Sequence, residues 1–415
     1  MRSNRMRVLV TGVAAVTIGI YAEIGFSGDN NVAQNDPAAM AVGKGLRWLV
    51  SVQGANGGWG QDGGETSYVR QGERLESRGN DVANTAVVAA ALLHTGSTPT
   101  NGMYREPLQR AVNFILKHVE QSPVEGLAVT DQNGTQIQRK LGPYIDTFLT
   151  SKLLAELDGT MGDEQTNARV RQGLQKCIAK IEKNQLKDGS WNISGGWAPI
   201  LGTSMASRSL DIARTKGVAA SPVVMSKIEE YTQLASAPPP PRASGSGGGV
   251  GTGAGAGTGA GVAGGVVGGI PGGSMASTVS VSAADASAGV SLYARAQQLE
   301  QLSRTDLDRK KNAPQIKAIK DQLGDARFVA GFGSIGGEEF FSYLNISDSL
   351  RRTGGPEWTK WNEEMKTKLV KLQNADGTWA GHHCITGRVA VTSAAILLLM
   401  ADREPVVQTS ALKKK

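Results

Sequence analysis

The chain has 415 residues, 40% of them hydrophobic and 20% charged, which suits a soluble globular core of two or three domains or one repeat fold. Its formal net charge of +7 is concentrated at the ends, in Arg2, Arg5 and Arg7 and in Lys413, Lys414 and Lys415, so the body between is nearly neutral. No basic stripe interleaved with aromatics runs through it, which argues against a nucleic-acid partner.

Residues 1–26 place three arginines before an apolar run from Val8 to about Ile20. That is the layout of a secretory signal, and the run is short for a membrane span. No A-x-A cleavage site stands out, so an uncleaved anchor is the alternative. The expectation is an exported bacterial protein of the periplasm or cell envelope, with the N-terminus as the means of any association with the inner membrane. Cys177 and Cys384 form no disulfide framework; they are either one bridge or two buried thiols.

From residue 40 the chain repeats itself. GLRWLVSVQGANGGWGQDGG (45–64) leads to NDVANTAVVAAALLHTG (80–96), and LQKCIAKIEKNQLKDGSWNISGGW (174–197) leads to LGTSMASRSLDIARTKG (201–217). LVKLQNADGTWAGHHCITGRVAVTSAAILLLM (369–400) holds both parts. Each unit is an amphipathic helix, a Gln, a Gly/Asp/Asn turn presenting a Trp, and a second helix rich in Ala, Ser and Thr. Weaker pairs are 107–129 with 143–157, 221–236 with 282–304, and 316–341 with 342–355. The stretch 237–281 is Gly- and Pro-rich with almost no charge, and reads as a flexible insertion extruded between the two toroid parts, 40–236 and 282–405. Residues 406–415 are a basic tail.

Six helix pairs, one amphipathic and one small-residue helix in each, predict an all-α fold of two concentric layers closed into an α/α toroid. Gln53, Gln185 and Gln373 would bond the exposed carbonyls at the ends of their outer helices, and Trp59, Trp191 and Trp379 would cover those junctions.

These Q-x-x-x-G-x-W segments resemble the repeats of the squalene cyclase and protein prenyltransferase superfamily, and most nearly the exported bacterial prenyltransferase and squalene oxidase repeat proteins. The resemblance implies the toroid and leaves function open. Terpenoid cyclases of this kind carry an Asp-x-Asp-Asp motif; the nearest string here is TDLDRK, with Asp306, Asp308 and Arg309 in a segment that reads as a solvated loop. The chain is only 5% aromatic, against the aromatic cavity that carbocations need. The zinc ligands of prenyltransferases, an Asp-x-Cys pair and a His at an inner-helix start, have no counterpart, and neither does the GCGEQ thioester segment.

His382, His383 and Cys384 are the remaining chemical candidates. One reading is a zinc site completed by Asp146 or Asp348; a second is a Cys–His nucleophile, with Asp146 as an acid; a third is a structural loop with Thr386 capping the next helix and Arg388 paired to an acid of the adjoining repeat. No cofactor is the expectation. Asn84, Asp146, Thr203, Ser204, Ser342, Asn345 and Thr392, at or near inner-helix starts, together with Arg388 and the His382–His383 loop, would ring a ligand cup unless they serve only as caps. The leading expectation is a toroid that binds a ligand, apolar isoprenoid or peptide, in that cup without the superfamily's known catalytic sites. The alternatives are an enzyme at the same cup, terpenoid/prenyl-type or a polymer lyase or hydrolase, and a structural envelope protein.

Overall fold

The computed structural model describes residues 36–62, 69–70, 73–74, 79–191, 193, 199–218, 220–236, 290–330, 336–382 and 385–403. The readings made of the N-terminal segment, the insertion, the basic tail, His383 and Cys384 lie outside the described residues. The first hairpin is α1 (Pro37–Ser51) and α2 (Val82–His94), with a small ribbon, β1 (Val69–Arg70) and β2 (Glu73–Arg74), between them. Then come α3 (Arg105–Gln121), α4 (Gln136–Leu141), α5 (Ile145–Leu157), α6 (Glu164–Lys183), α7 (Pro199–Thr215), α8 (Pro222–Ser236) and α9 (Val290–Leu302). The chain continues through α10 (Asp306–Lys311), α11 (Ala313–Leu323), α12 (Ala326–Val329), α13 (Gly337–Thr353), α14 (Pro356–Leu372) and α15 (Arg388–Leu399).

Helix type follows from side-chain pattern. In α3 the buried residues Leu108, Ala111, Val112, Ile115 and Val119 recur at three- and four-residue intervals, so one face is apolar and the other carries charge. In α2 and α15 nearly every position is buried, and the many Ala, Ser and Thr side chains let helices crowd from all sides. The small-residue helices α2, α5, α7, α9, α13 and α15 each pack on the next, and α15 returns to α2. The amphipathic helices α1, α3, α6, α8, α11 and α14 lie outside them, with α14 against α1. This is the predicted toroid of six hairpins in two layers.

Three turns share one construction. Gly57, Gly189 and Gly377 have φ of 90°, 88° and 89°, a left-handed conformation that favours glycine. A Cβ on them would also strike the next outer helix, at Arg110 O (2.6 Å), Lys227 O (2.2 Å) and Lys44 Cβ (2.9 Å). The following Trp then makes two bonds. Its indole N–H donates to the last-turn carbonyl of its own outer helix: Trp59 to Leu49 (2.7 Å), Trp191 to Ile181 (2.8 Å), Trp379 to Leu369 (2.8 Å). Its backbone N–H donates to a threonine of the inner helix: Thr85 (2.9 Å), Thr203 (3.0 Å) and Thr392 (2.9 Å).

The expected role of the glutamines needs correction. It is Trp that satisfies the helix-end carbonyl. Each Gln side-chain amide donates instead to its own turn glycine and to a first-turn carbonyl of the next outer helix: Gln53 to Pro107 (2.9 Å), Gln185 to Val224 (3.1 Å), Gln373 to Ala41 (2.8 Å). The last of these joins the final outer helix to the first and closes the ring. The hairpin of α3 and α5 has no such Trp; there Lys176 of α6 caps α3, donating to Val119 O (2.8 Å) and Ser122 O (2.6 Å).

Two further expectations shift. TDLDRK is a short helix, α10, whose Thr305 and Asp308 form a capping box, so Asp308 is a helix-start residue and not a solvated loop acid. Helix α13 begins at Gly337, which places Ser342 and Asn345 well inside it instead of at its start.

Candidate functional site

The inner helices all start at one end of the ring, and there two carboxyl groups are buried side by side. Asp81 is the N-cap of α2: it accepts from Asn84 N (2.8 Å) through one oxygen and from Asn84 Nδ2 (2.7 Å) through the other. Asp146, in the first turn of α5, accepts from Ala83 N (3.0 Å) and from Gln138 Nε2 (2.6 Å). Both acids therefore sit on consecutive N–H groups of one helix terminus. Burial, and then the charge of Asp146, push Asp81 up to about 7. Burial pushes Asp146 up to about 6 against the bonds from Gln138 and the backbone.

The short helix α4 crosses this end. Gln136 at its start accepts from Thr386 N and Gly387 N (3.0 Å each) and donates to Thr386 Oγ1 (2.9 Å), just before α15. Leu141 at its other end lies against the start of α7, where a Cβ on Gly202 would come within 2.7 Å of its carbonyl. Helices α15 and α7 are opposite members of the inner ring, so α4 spans its diameter. The capping box of Thr135 and Gln138 starts the helix, and Gln138 is the residue that ties it to Asp146.

Deeper in the ring, charged side chains reach through its interior. Arg208 of α7 pairs with Asp348 of α13, and Ser204 and Asn345 of the same two helices meet at 3.4 Å. Because α9 stands between α7 and α13 in the ring, these bonds are chords through its interior. Around them Arg304 pairs with Asp211 (3.0 Å) and lies near Glu300 (3.8 Å), and Arg351 lies 3.6 Å from Asp348. With Arg214, 3.5 Å from Asp211 at the edge, four guanidinium groups meet three carboxylates in a largely buried network.

The structure sorts the predicted cup residues into different roles. Thr203 and Thr392 hold the Trp turns, their hydroxyls accepting from the Trp191 and Trp379 backbone N–H groups. Ser342 bonds the Glu338 carbonyl within α13 (3.3 Å). Ser204 and Asn345 are in the axial network, while Asn84 and Asp146 belong to the carboxyl pair. Asp348 is committed to Arg208 and Arg351, and both oxygens of Asp146 face N–H donors, so neither completes a zinc set. His382 is exposed, and Cys177 is a buried free thiol. Arg388 does pair with an acid of another repeat, Asp62 (3.3 Å), and covers the Trp48 ring at 5.1 Å; it braces the rim. Thr386 does not cap α15, whose N-cap is Gly387; it is fixed by Gln136 instead. Among the described residues no group of three or more His, Cys, Asp or Glu side chains has a metal-binding arrangement.

Sequence reading missed Asp81, Gln136, Gln138 and the three arginines. The capping-box pattern T-x-x-Q at Thr135–Gln138 was the available signal for α4. The ion pairs that join different helices, Arg304–Asp211 and Arg208–Asp348, link residues 93 and 140 positions apart, and no local pattern announces those.

No family model matches the chain, and no curated protein matches it. A solved structure of a type II terpene cyclase from Scytonema, in complex with geranylgeranyl dihydroxybenzoate, is similar at 10% identity with a TM-score of 0.45, covering 88% of this chain and 97% of that one. A likeness at that level carries no inference about this chain's chemistry, and the toroid rests on the helix packing and ring closure described above.

Proposed function

We propose that the protein is an exported toroid repeat protein of the squalene cyclase and prenyltransferase kind that binds a polar ligand inside its ring and does not cyclise polyenes. The observation that carries this is the chord of Arg208–Asp348 and Ser204–Asn345 through the ring interior. An isoprenoid laid there would strip charged groups of their partners without replacing them, a loss of about 3–5 kcal/mol for each broken buried pair. A ligand with its own donors and acceptors can exchange bonds with the network. The arginine-led N-terminal segment supports export, which cell fractionation of the full chain tests.

The binding experiment is extraction of the purified protein followed by mass spectrometry for lipids, with thermal-shift titration against isoprenoid diphosphates and against short peptides. No co-purifying isoprenoid, and a shift only with polar ligands, is the expected result. A stoichiometric isoprenoid would overturn it. The enzyme reading keeps one supporting observation, the Asp81–Asp146 pair, whose shared burial suits a proton donor. A proton-transfer activity abolished by Asp146→Asn in a folded protein would favour that reading over binding alone.

A further inference from the structure

We propose that the ring interior is entered from the end opposite α4, and that its ligand carries an oxyanion received by Arg352. This rests on the reading of a polar ligand inside the ring and names that ligand's chemistry.

Exposure marks the way in. In α5 every residue is buried except Leu149, Lys152 and Glu156. At about 100° per residue these three form one stripe, opposite Thr147 and Leu154. Thr147 bonds Leu127 O (2.7 Å) and Leu154 packs at Gly173 of α6, so their side faces the outer layer. The partly exposed stripe therefore faces inward. Helix α13 repeats the pattern: Leu344 and Arg352 are partly exposed on the face of Asp348, whose partner Arg208 stands on α7. On α7, Ile212 is partly exposed one turn beyond Arg208, and on α2 the partly exposed His94 meets Glu156 at 3.0 Å. Residues 82–92, 202–208 and 337–343, nearer the helix starts, are buried throughout. Solvent thus reaches the inward faces toward the C-terminal ends of the inner helices, away from α4.

This mouth has more basic groups than acids to hold them. Asp348 serves Arg208 and Arg351, Asp211 serves Arg304 and Arg214, and Glu156 serves Lys152 and His94. Arg352, one turn beyond Asp348, pairs with no carboxylate among the described residues. It stands on the face that carries Asp348 and Asn345, where the chord to α7 begins. A guanidinium presents five N–H donors in one plane, a fork that fits two oxygens of a carboxylate or a phosphate. The C-terminal dipoles of the inner helices offset part of the positive excess, each by a fraction of a charge. An oxyanion on Arg352 supplies the acceptor that the mouth lacks.

Thermal-shift titration of the full-length protein with sodium citrate and with sodium pyrophosphate, at an ionic strength fixed with sodium chloride, tests this. A saturable rise with at least one anion is expected. Citrate alone would mark a carboxylate ligand and pyrophosphate alone a phosphate, while both would mark the oxyanion chemistry they share. Arg352→Gln should weaken the apparent affinity by about tenfold or more, and Arg352→Lys by less. Both variants should fold as the wild type does, because Arg352 holds no ion pair among the described residues. Leu149→Cys, with Cys177 and Cys384 changed to Ser, should react with a water-soluble maleimide in the folded protein. No rise with either anion, a rise undiminished in Arg352→Gln, or an unreactive Leu149→Cys would each overturn the proposal. If capped neutral peptides still shift the protein, the polar-ligand reading survives that failure; a stoichiometric isoprenoid ends both.

Discussion

Asp81 and Glu156 show how one fold can hold acids in opposite senses. Asp81 is buried and Glu156 half-buried, but Glu156 has Lys152 Nζ at 2.6 Å and His94 Nε2 at 3.0 Å. Although burial opposes it, those two groups hold the Glu156 carboxyl well below the usual range. Among the described residues no cation offsets Asp81 or Asp146, and burial raises both. The signs follow directly. A raised acid means that the folded chain binds the extra proton between its ordinary value near 3.8 and about 7, so its contribution to stability declines as pH rises through that window. A depressed acid contributes fully above its ordinary value near 4.5 and loses that contribution as pH falls below it. Chemical denaturation should therefore give a stability that falls between about pH 4 and pH 7, by roughly 1–3 kcal/mol, in the wild-type chain. The slope should be reduced in Asp81→Asn and retained in Glu156→Gln. An unchanged slope in Asp81→Asn would refute the assignment.

At the scale of elements, the Trp turn and the lysine cap do the same work by different chemistry. Each brings a donor to the orphan carbonyls at an outer-helix C-terminus. Trp191→Phe keeps most of the apolar packing but leaves Ile181 O without its indole donor, which should cost about 1–2 kcal/mol. Lys176→Met should cost less at α3, about 0.5–1 kcal/mol, since the Ser122 carbonyl loses its lysine donor while Val119 O keeps the Ser122 hydroxyl at 2.8 Å. Urea titrations of the two variants check this, and a silent Lys176→Met would show that Ser122 and solvent suffice to cap α3. The contrast also explains what was legible. Three Q…G…W segments announce three hairpins because glycine, tryptophan and glutamine each meet a local demand of the turn. The lysine cap is 54 to 57 residues away from the carbonyls it serves, and a lysine on an amphipathic helix looks like any solvated charge. The threonines at 85, 203 and 392 were visible as helix-start residues, but which way they face is decided by the Trp backbone they receive.

For the whole molecule, the alternation of amphipathic and small-residue helices was sufficient to derive the two layers and the number of hairpins. The interior was not derivable in the same way. A cup was expected because small residues were assigned to the axis, whereas Arg208, Asp211, Glu300, Arg304, Asp348 and Arg351 fill part of it in mutual pairs. In sequence they are scattered charges on α7, α9 and α13 and on the connection after α9, and only closure of the ring brings them together. Closure is thus the proposition on which the chord between α7 and α13 and the α4 span both depend. Its seam is local and specific: Gln373 on Ala41, with Gly377 against Lys44. The direct measurement is a dipolar spin-label distance between exposed positions on the two sides of that seam, Lys44→Cys and Lys371→Cys, in a background with Cys177 and Cys384 changed to Ser. A closed ring gives a single narrow population at the short end of the measurable range. A long, broad distribution would mean an open spiral.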